Sequence, residues 1–119
     1  MSKRILVADD EALITKTIKF RLQREGYEIL TASDGKEAME LLDKEHVDLV
    51  VTDLLMPVHS GLEIIQKVKG TMQQKIPVIV LSAAGLEKNV VEAFNIGADD
   101  FVTKPFSPEE LSLRIKKLL

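Results

Sequence analysis

Four polar stations along this chain of 119 residues each follow a short strand-like run. Asp9, Asp10 and Glu11 follow Ile5-Leu6-Val7-Ala8, and Asp53 follows Leu49-Val50-Val51-Thr52. Ser82 follows Pro77-Val78-Ile79-Val80-Leu81, and Lys104-Pro105 follows Asp100-Phe101-Val102-Thr103. If Asp9, Asp10 and Asp53 meet, they repel: two charges at ~4 Å cost about 4 kcal/mol at intermediate dielectric. Raised pKa values, the Lys104 ammonium or a divalent cation would offset that repulsion. An all-oxygen donor set with no His or Cys nearby suits a hard ion. Mg²⁺ fits best, because it keeps several waters and takes one or two carboxylates plus a phosphate oxygen. Ca²⁺ wants more protein ligands than these stations supply. Taken singly each station is ordinary, since Asp after a strand is a common turn or cap residue. All of them at the ends of the right strands is a different matter. His46 and His59 lie outside the stations and read as surface histidines.

For the stations to meet, the intervening chain must return each strand to the same edge. Ile14, Ile18 and Leu22 recur at helical spacing before Gly26. Residues 27–32 form a second strand, and Asp34 with Glu37 caps a helix striped by Ala38, Leu41 and Leu42. Ser60 with Glu63 forms a capping box before Leu62, Ile65 and Val68, and Val90, Val91 and Phe94 mark a fourth helix closed by Gly97. Ser107-Pro108-Glu109-Glu110 combines an N-cap, Pro at the first helical position and a capping-box Glu. Leu111, Ile115 and Leu118 give the last helix its stripe. The order is strand then helix, five times, which predicts a parallel sheet with helices on both faces. The first, third and fourth strands lack polar alternation, as strands covered on both sides do. In such a sheet the functional crevice lies beyond the carboxyl ends of the strands, where the stations fall.

Composition bounds the function. The length suits one domain, residues 1–119, with a real core. Aromatics are 4% with no Trp, so that core must be aliphatic. The absence of cysteine excludes disulfides, thiolate zinc sites, iron–sulfur clusters and Cys nucleophiles, and fits a reducing, cytoplasmic setting. A net charge of −3 makes the domain a poor nucleic-acid binder by itself. No apolar run reaches the ~18 residues of a membrane span, and the run before Asp9 is too short for a signal peptide.

These residues resemble the receiver domain of bacterial two-component response regulators, over essentially the whole chain. Asp9-Asp10 looks like the acidic pair of that family. Asp53-Leu54-Leu55-Met56-Pro57 with Gly61 looks like its phosphoacceptor loop, and Ser82-Ala83-Ala84 like its hydroxyl-plus-small-residue segment. Gly97-Ala98-Asp99-Asp100-Phe101 and Lys104-Pro105-Phe106 look like its fifth strand and Lys-Pro loop. The resemblance implies the chemotaxis-regulator-like, flavodoxin-like fold: a doubly wound α/β/α sandwich with strand order 2-1-3-4-5 and five helices.

The same resemblance implies roles. Asp53 would accept a phosphoryl group from the phosphohistidine of a sensor histidine kinase or phosphotransfer protein. Mg²⁺ would be held by Asp10, Asp53 and the Leu55 backbone carbonyl, with Asp9 acting through water. Lys104 and Ser82 would contact phosphoryl oxygens, and a cis bond before Pro105 would aim the Lys104 ammonium inward. Ser82 and Phe101 would then move as a switch, altering the surface of helix four, strand five and helix five. The C-terminal third is similar to receivers of winged-helix transcription regulators that dimerise through that surface. Asp99, Asp100, Glu110 and Arg114 would be its charged participants. The departure is on helix four, where Asn89 and Val90 stand where a basic residue is expected, with only Lys88 close.

Other readings fit less well. A phosphohydrolase with an Asp nucleophile carries it after the first strand in an Asp-x-Asp pattern and adds a cap domain; here the two acids are adjacent and there is no room for a cap. A flavin module on this fold would want a Gly/Ser/Thr-rich loop after the first strand, and Asp9-Asp10-Glu11 would repel the phosphate. A degenerate receiver, serving only as an interaction surface, would not keep the complete acidic set. The expectation is a phosphoacceptor switch and not a multiple-turnover enzyme on small substrates.

Overall fold

The computed structural model describes residues 2–71 and 75–119. The elements run β1 (Arg4–Ala8), α1 (Ala12–Arg24), β2 (Glu28–Ala32), α2 (Gly35–Lys44), β3 (Leu49–Asp53), α3 (Gly61–Gln66), β4 (Val78–Ala83), α4 (Glu87–Asn95), β5 (Asp100–Lys104) and α5 (Pro108–Leu118). All strand pairs are parallel, in the order β2-β1-β3-β4-β5. With helices on both faces, this is the flavodoxin-like α/β/α sandwich that the alternation of elements required.

Each strand feeds two cores, because successive side chains point to opposite faces. Leu6, Ala8, Val50, Val78 and Val80 face Leu42 of α2, Ile64 and Ile65 of α3, Val68 just beyond α3, and Ala93 of α4. Ile5, Val7, Leu49, Val51, Ile79, Leu81 and Val102 face Ile18 and Leu22 of α1 and Leu111 and Ile115 of α5. Ile5, Leu6 and Val7 are fully buried, as are Leu49, Val50 and Val51. Burial of a large aliphatic side chain contributes about 1.5–3 kcal/mol, so these two central strands anchor everything attached to their ends.

Helix starts follow the expected capping chemistry. Asp34 Oδ1 accepts from the Glu37 amide at 2.8 Å, and Ser107 Oγ accepts from the Glu110 amide at 3.0 Å. At Ser60 the box is reciprocal, with both bonds at 3.3 Å. Each such cap is worth about 1 kcal/mol. The box expected at Ser107 is only half made, because the Glu110 carboxylate pairs instead with Arg114 at 3.2 Å.

The structure refines the sequence expectation at several places. Strand β4 runs through Ala83, so Ser82 lies inside the ladder opposite Thr103. Helix α3 widens into a π-helical turn over Lys67–Thr71, and its buried face is Ile64, Ile65 and Val68, with Leu62 half-buried. On α4 the fully buried residue is Ala93, while Val91 and Phe94 are exposed.

Candidate functional site

Register brings the acids together. Ala8 pairs with Thr52 across β1 and β3, so Asp9 and Asp53 are the next residues on adjacent central strands. Asp10 begins the turn into α1. One carboxylate oxygen from each of Asp9, Asp10 and Asp53 lies within 4.8 Å of the others. Asp9 is fully buried and Asp53 is 7% exposed, whereas Asp10 faces solvent. Lys104, at the end of β5, reaches across β4 to the cluster. Its Nζ is 2.9 Å from Asp9 Oδ2, 3.2 Å from Asp53 Oδ2 and 3.4 Å from Glu11 Oε1.

Burial raises the Asp53 pKa above the ordinary carboxylate range, and the Asp9 charge adds to the rise; Lys104 and the Leu55 backbone oppose it. For Lys104, burial disfavours the ammonium, but Asp9 and Asp53 outweigh burial and raise its pKa. The site therefore holds a proton-hungry Asp53 beside a firmly charged Lys104. Positive charge placed here is stabilising.

The donor set fits a hard divalent cation. Asp9 Oδ1 accepts from the Glu11 amide at 2.9 Å. Asp9 Oδ2 is buried and, although at ion-pair distance from Lys104, lies outside hydrogen-bond geometry. Three carboxylates gather here around the single Lys104 ammonium, so a cation would offset the excess negative charge. The cluster can coordinate a metal ion, with oxygen donors and no sulfur or nitrogen ligand in the group.

The loop after β3 is clamped at both ends by glycines. Gly61 donates to the Leu54 carbonyl at 2.8 Å, and a Cβ on Gly61 would land on the Asp53 carbonyl oxygen and 2.9 Å from Leu54 Cα. Gly35 donates to the Pro57 carbonyl at 3.1 Å, and a Cβ there would strike the His59 backbone. Between them Val58 has φ +72°, an uncommon conformation for a β-branched residue. The Pro57 carbonyl also accepts from the His59 amide at 2.9 Å, which closes a tight turn around Val58. Leu55 is half exposed at the rim.

The remaining expected residues fall as follows. The Ser82 hydroxyl is buried and donates to the Ala83 carbonyl at 3.1 Å. The Lys104–Pro105 bond is cis. Phe101 is 38% exposed and packs edge-on against Phe94, with ring centroids 5.8 Å apart. Arg114 bonds both Asp100 oxygens, at 3.0 and 2.9 Å, so Asp100, Glu110 and Arg114 form one network within the chain. Asp99 turns the other way. It accepts from Lys69 and from the Val78 amide, both at 2.8 Å, tying α3 to the start of β4. His46 pairs with Asp48 and His59 with Glu63, both away from the acidic cluster. The role of Glu11 as a third partner of Lys104 was not read from sequence; its only signal was its place in an unbroken run of three acids.

Comparison with known proteins agrees with this geometry. Residues 5–116 match the family described as the response regulator receiver domain. The transcriptional regulatory protein SrrA of Staphylococcus aureus is 44% identical over 119 residues, which is 100% of this chain and 48% of that protein. The chain thus spans about half the length of the curated relatives it matches. Among solved structures, the Francisella response regulator 1452 receiver domain superposes with a TM-score of 0.89 at 36% identity, covering 98% of this chain and 96% of the other. The chemotaxis response regulator CheY4 of Vibrio cholerae gives 0.90 at 32% identity, with 100% of both chains covered.

Proposed function

The chain belongs to the response-regulator receiver family, and from that premise we propose that Asp53 is the residue that takes the phosphoryl group. The family makes the Asp9, Asp10 and Asp53 cluster a phosphoacceptor site, and the domain a signalling module rather than a multiple-turnover enzyme. One observation carries the choice of Asp53: of the two cluster acids that Lys104 contacts, Asp53 keeps some exposure at the tip of β3, whereas Asp9 is fully buried. In the transfer an Asp53 oxygen bonds to phosphorus while the phosphorus–nitrogen bond of a donor phosphohistidine breaks, and the electron pair leaves with the imidazole. Lys104 stays within reach of the incoming phosphoryl oxygens. Ser82 exchanges its Ala83 partner for another of them.

Mg²⁺ is the ion proposed, held by Asp10, Asp53 and the Leu55 backbone carbonyl, with Asp9 acting through water. When bound it supplies positive charge against the phosphoryl oxygens. Titration with Mg²⁺ should raise the unfolding midpoint, adding about 2.7 kcal/mol at a hundredfold excess over Kd and climbing logarithmically beyond it. Asp10→Ala should lose that gain. A flat titration in the unsubstituted protein would remove the metal from the scheme.

The switch rests on Ser82 and Phe101. A cleft of about 210 Å³ opens beneath the β4–α4 connection, lined by Ser82, Ala83, Leu86, Val90 and Phe101 among others. An apolar cavity of ~150 Å³ accepts a benzene ring, so the Phe101 ring has room to turn inward once Ser82 moves toward the phosphoryl group. Lys104→Ala should fold and still be labelled at Asp53. It should lose most of the phosphorylation-dependent change, read as Phe94 and Phe101 ring resonances in NMR spectra. A full response in that variant would take Lys104 out of the switch.

Residues 1–119 form one receiver domain in this reading. Its phosphodonor is a sensor histidine kinase or phosphotransfer protein, and its setting is the cytoplasm. Among the described residues no helix is long and apolar enough to cross a membrane. The negative charge of the domain argues that it does not bind nucleic acid itself. The output surface is α4–β5–α5, where Val91, Phe94, Phe101 and Leu113 are exposed. A homodimer through that face would rest on these apolar residues first. Asp100, Glu110 and Arg114 already pair within the chain, so they would have to re-pair across the interface, and exposed ion pairs are worth little each.

A further inference from the structure

We propose that Glu11 sets donor selectivity by placing a carboxylate at the mouth of the site, where it slows small anionic phosphodonors. The inference rests on Asp53 being the acceptor. Lys104 has three carboxylate partners, and they differ in kind. Asp9 and Asp53 are buried in the pocket, whereas the Glu11 side chain is 62% exposed and meets Lys104 at 3.4 Å from the outside. Among the described residues, Lys104 is the one ammonium group within ion-pair distance of the cluster. Asp9, Asp10 and Asp53 already outnumber it, and Glu11 adds a fourth carboxylate on the solvent side.

A free dianion must pass that charge, and the field at a charged entrance changes association rates strongly at low salt. A protein donor differs, because its phosphohistidine arrives on a surface that can carry compensating cations. Glu11 therefore disfavours small donors without penalising a protein donor equally.

The side chain is separable from the fold. Glu11 begins α1 through its backbone alone: its carbonyl accepts from the Ile14 and Thr15 amides at 3.0 and 3.2 Å, and its amide donates to Asp9 Oδ1. Its side chain makes no cap bond. Glu11→Gln keeps these backbone bonds and removes the charge.

The test is labelling by acetyl phosphate in saturating Mg²⁺, followed by intact mass. An Asp53 oxygen bonds to phosphorus, the bond from phosphorus to the acyl oxygen breaks, and acetate leaves with the electron pair. In low salt Glu11→Gln should label on the order of three- to tenfold faster than the unsubstituted protein, and that ratio should shrink toward one in high salt. Its unfolding midpoint should stay unchanged. Equal or slower labelling overturns the role of Glu11, as does a faster rate that ignores salt. Labelling that persists when Asp53→Asn is added to Glu11→Gln would instead overturn the choice of acceptor, so the two failures are distinguishable.

Discussion

Asp53→Asn should reduce covalent labelling by acetyl phosphate and Mg²⁺ to background while making the metal-free domain more stable. Both effects come from one carboxylate. An amide oxygen is a poor nucleophile, and neither Asp9 nor Asp10 can replace Asp53: Asp9 is fully buried with one oxygen tied to the Glu11 amide, and Asp10 lacks the contact with Lys104. The stability effect follows from the raised Asp53 pKa, whose largest cause is burial and whose second is the Asp9 charge. The folded state then binds this proton more readily than the unfolded chain, so stability falls as pH rises through the interval between the ordinary value of 3.8 and the raised one. Above the raised value the penalty is present in full, and Asn removes it. Below the ordinary carboxylate range both states are protonated and the advantage should vanish. Intact mass checks the first effect, and thermal unfolding at neutral and acidic pH checks the second. Mass gain persisting in Asp53→Asn, or a variant less stable than its parent at neutral pH, would contradict this account.

Gly61→Ala should be strongly damaging, although the residue touches no ligand. The added methyl group would meet the Asp53 carbonyl oxygen and Leu54 Cα, buried backbone atoms at the end of β3 and just past it. Neither can yield as a flexible side-chain tip would. The Gly61 amide bond to Leu54 would have to lengthen, and the loop carrying Leu55 would shift with it. A loss of about 3 kcal/mol is expected, which lowers the unfolding midpoint by about 10–15 °C in a domain this size. Mg²⁺ affinity should fall as well, because the Leu55 carbonyl moves away from the acids. Melting and metal titration on the same sample test both. A variant that melts with its parent and binds Mg²⁺ equally would show that the loop is not held by this approach.

Much of this was legible before any coordinates. The central strands are apolar on both faces, so their ends are the first places where charge can sit, and Asp9, Asp53 and Lys104 stood there. Capping chemistry located α2, α3 and α5 because Asp34, Ser60 and Ser107 act within a few residues of themselves. What failed to show was set by distance in space. Ser82 reads as the residue after β4, but pairing with β5 keeps it in the ladder. Val90, Val91 and Phe94 mark α4 without telling its faces apart: the helix packs mainly through Ala93, with Val90 and Ile96 against the core edge, and Val91 and Phe94 are exposed. The approach of Glu11 to Lys104 joins residues at opposite ends of the chain, and no local pattern announces it.

The two-faced burial of β1 and β3 has one more effect. When a strand is apolar on a single side, a slip of one residue turns its hydrophobic set outward and is rejected at once. Here a slip would trade one oily layer for the other, so hydrophobicity alone discriminates weakly between correct and displaced pairing. The stop comes from the strand tips: a shift would drag an aspartate between the layers or strip it of Lys104. The same acids that make the domain reactive also proofread its assembly.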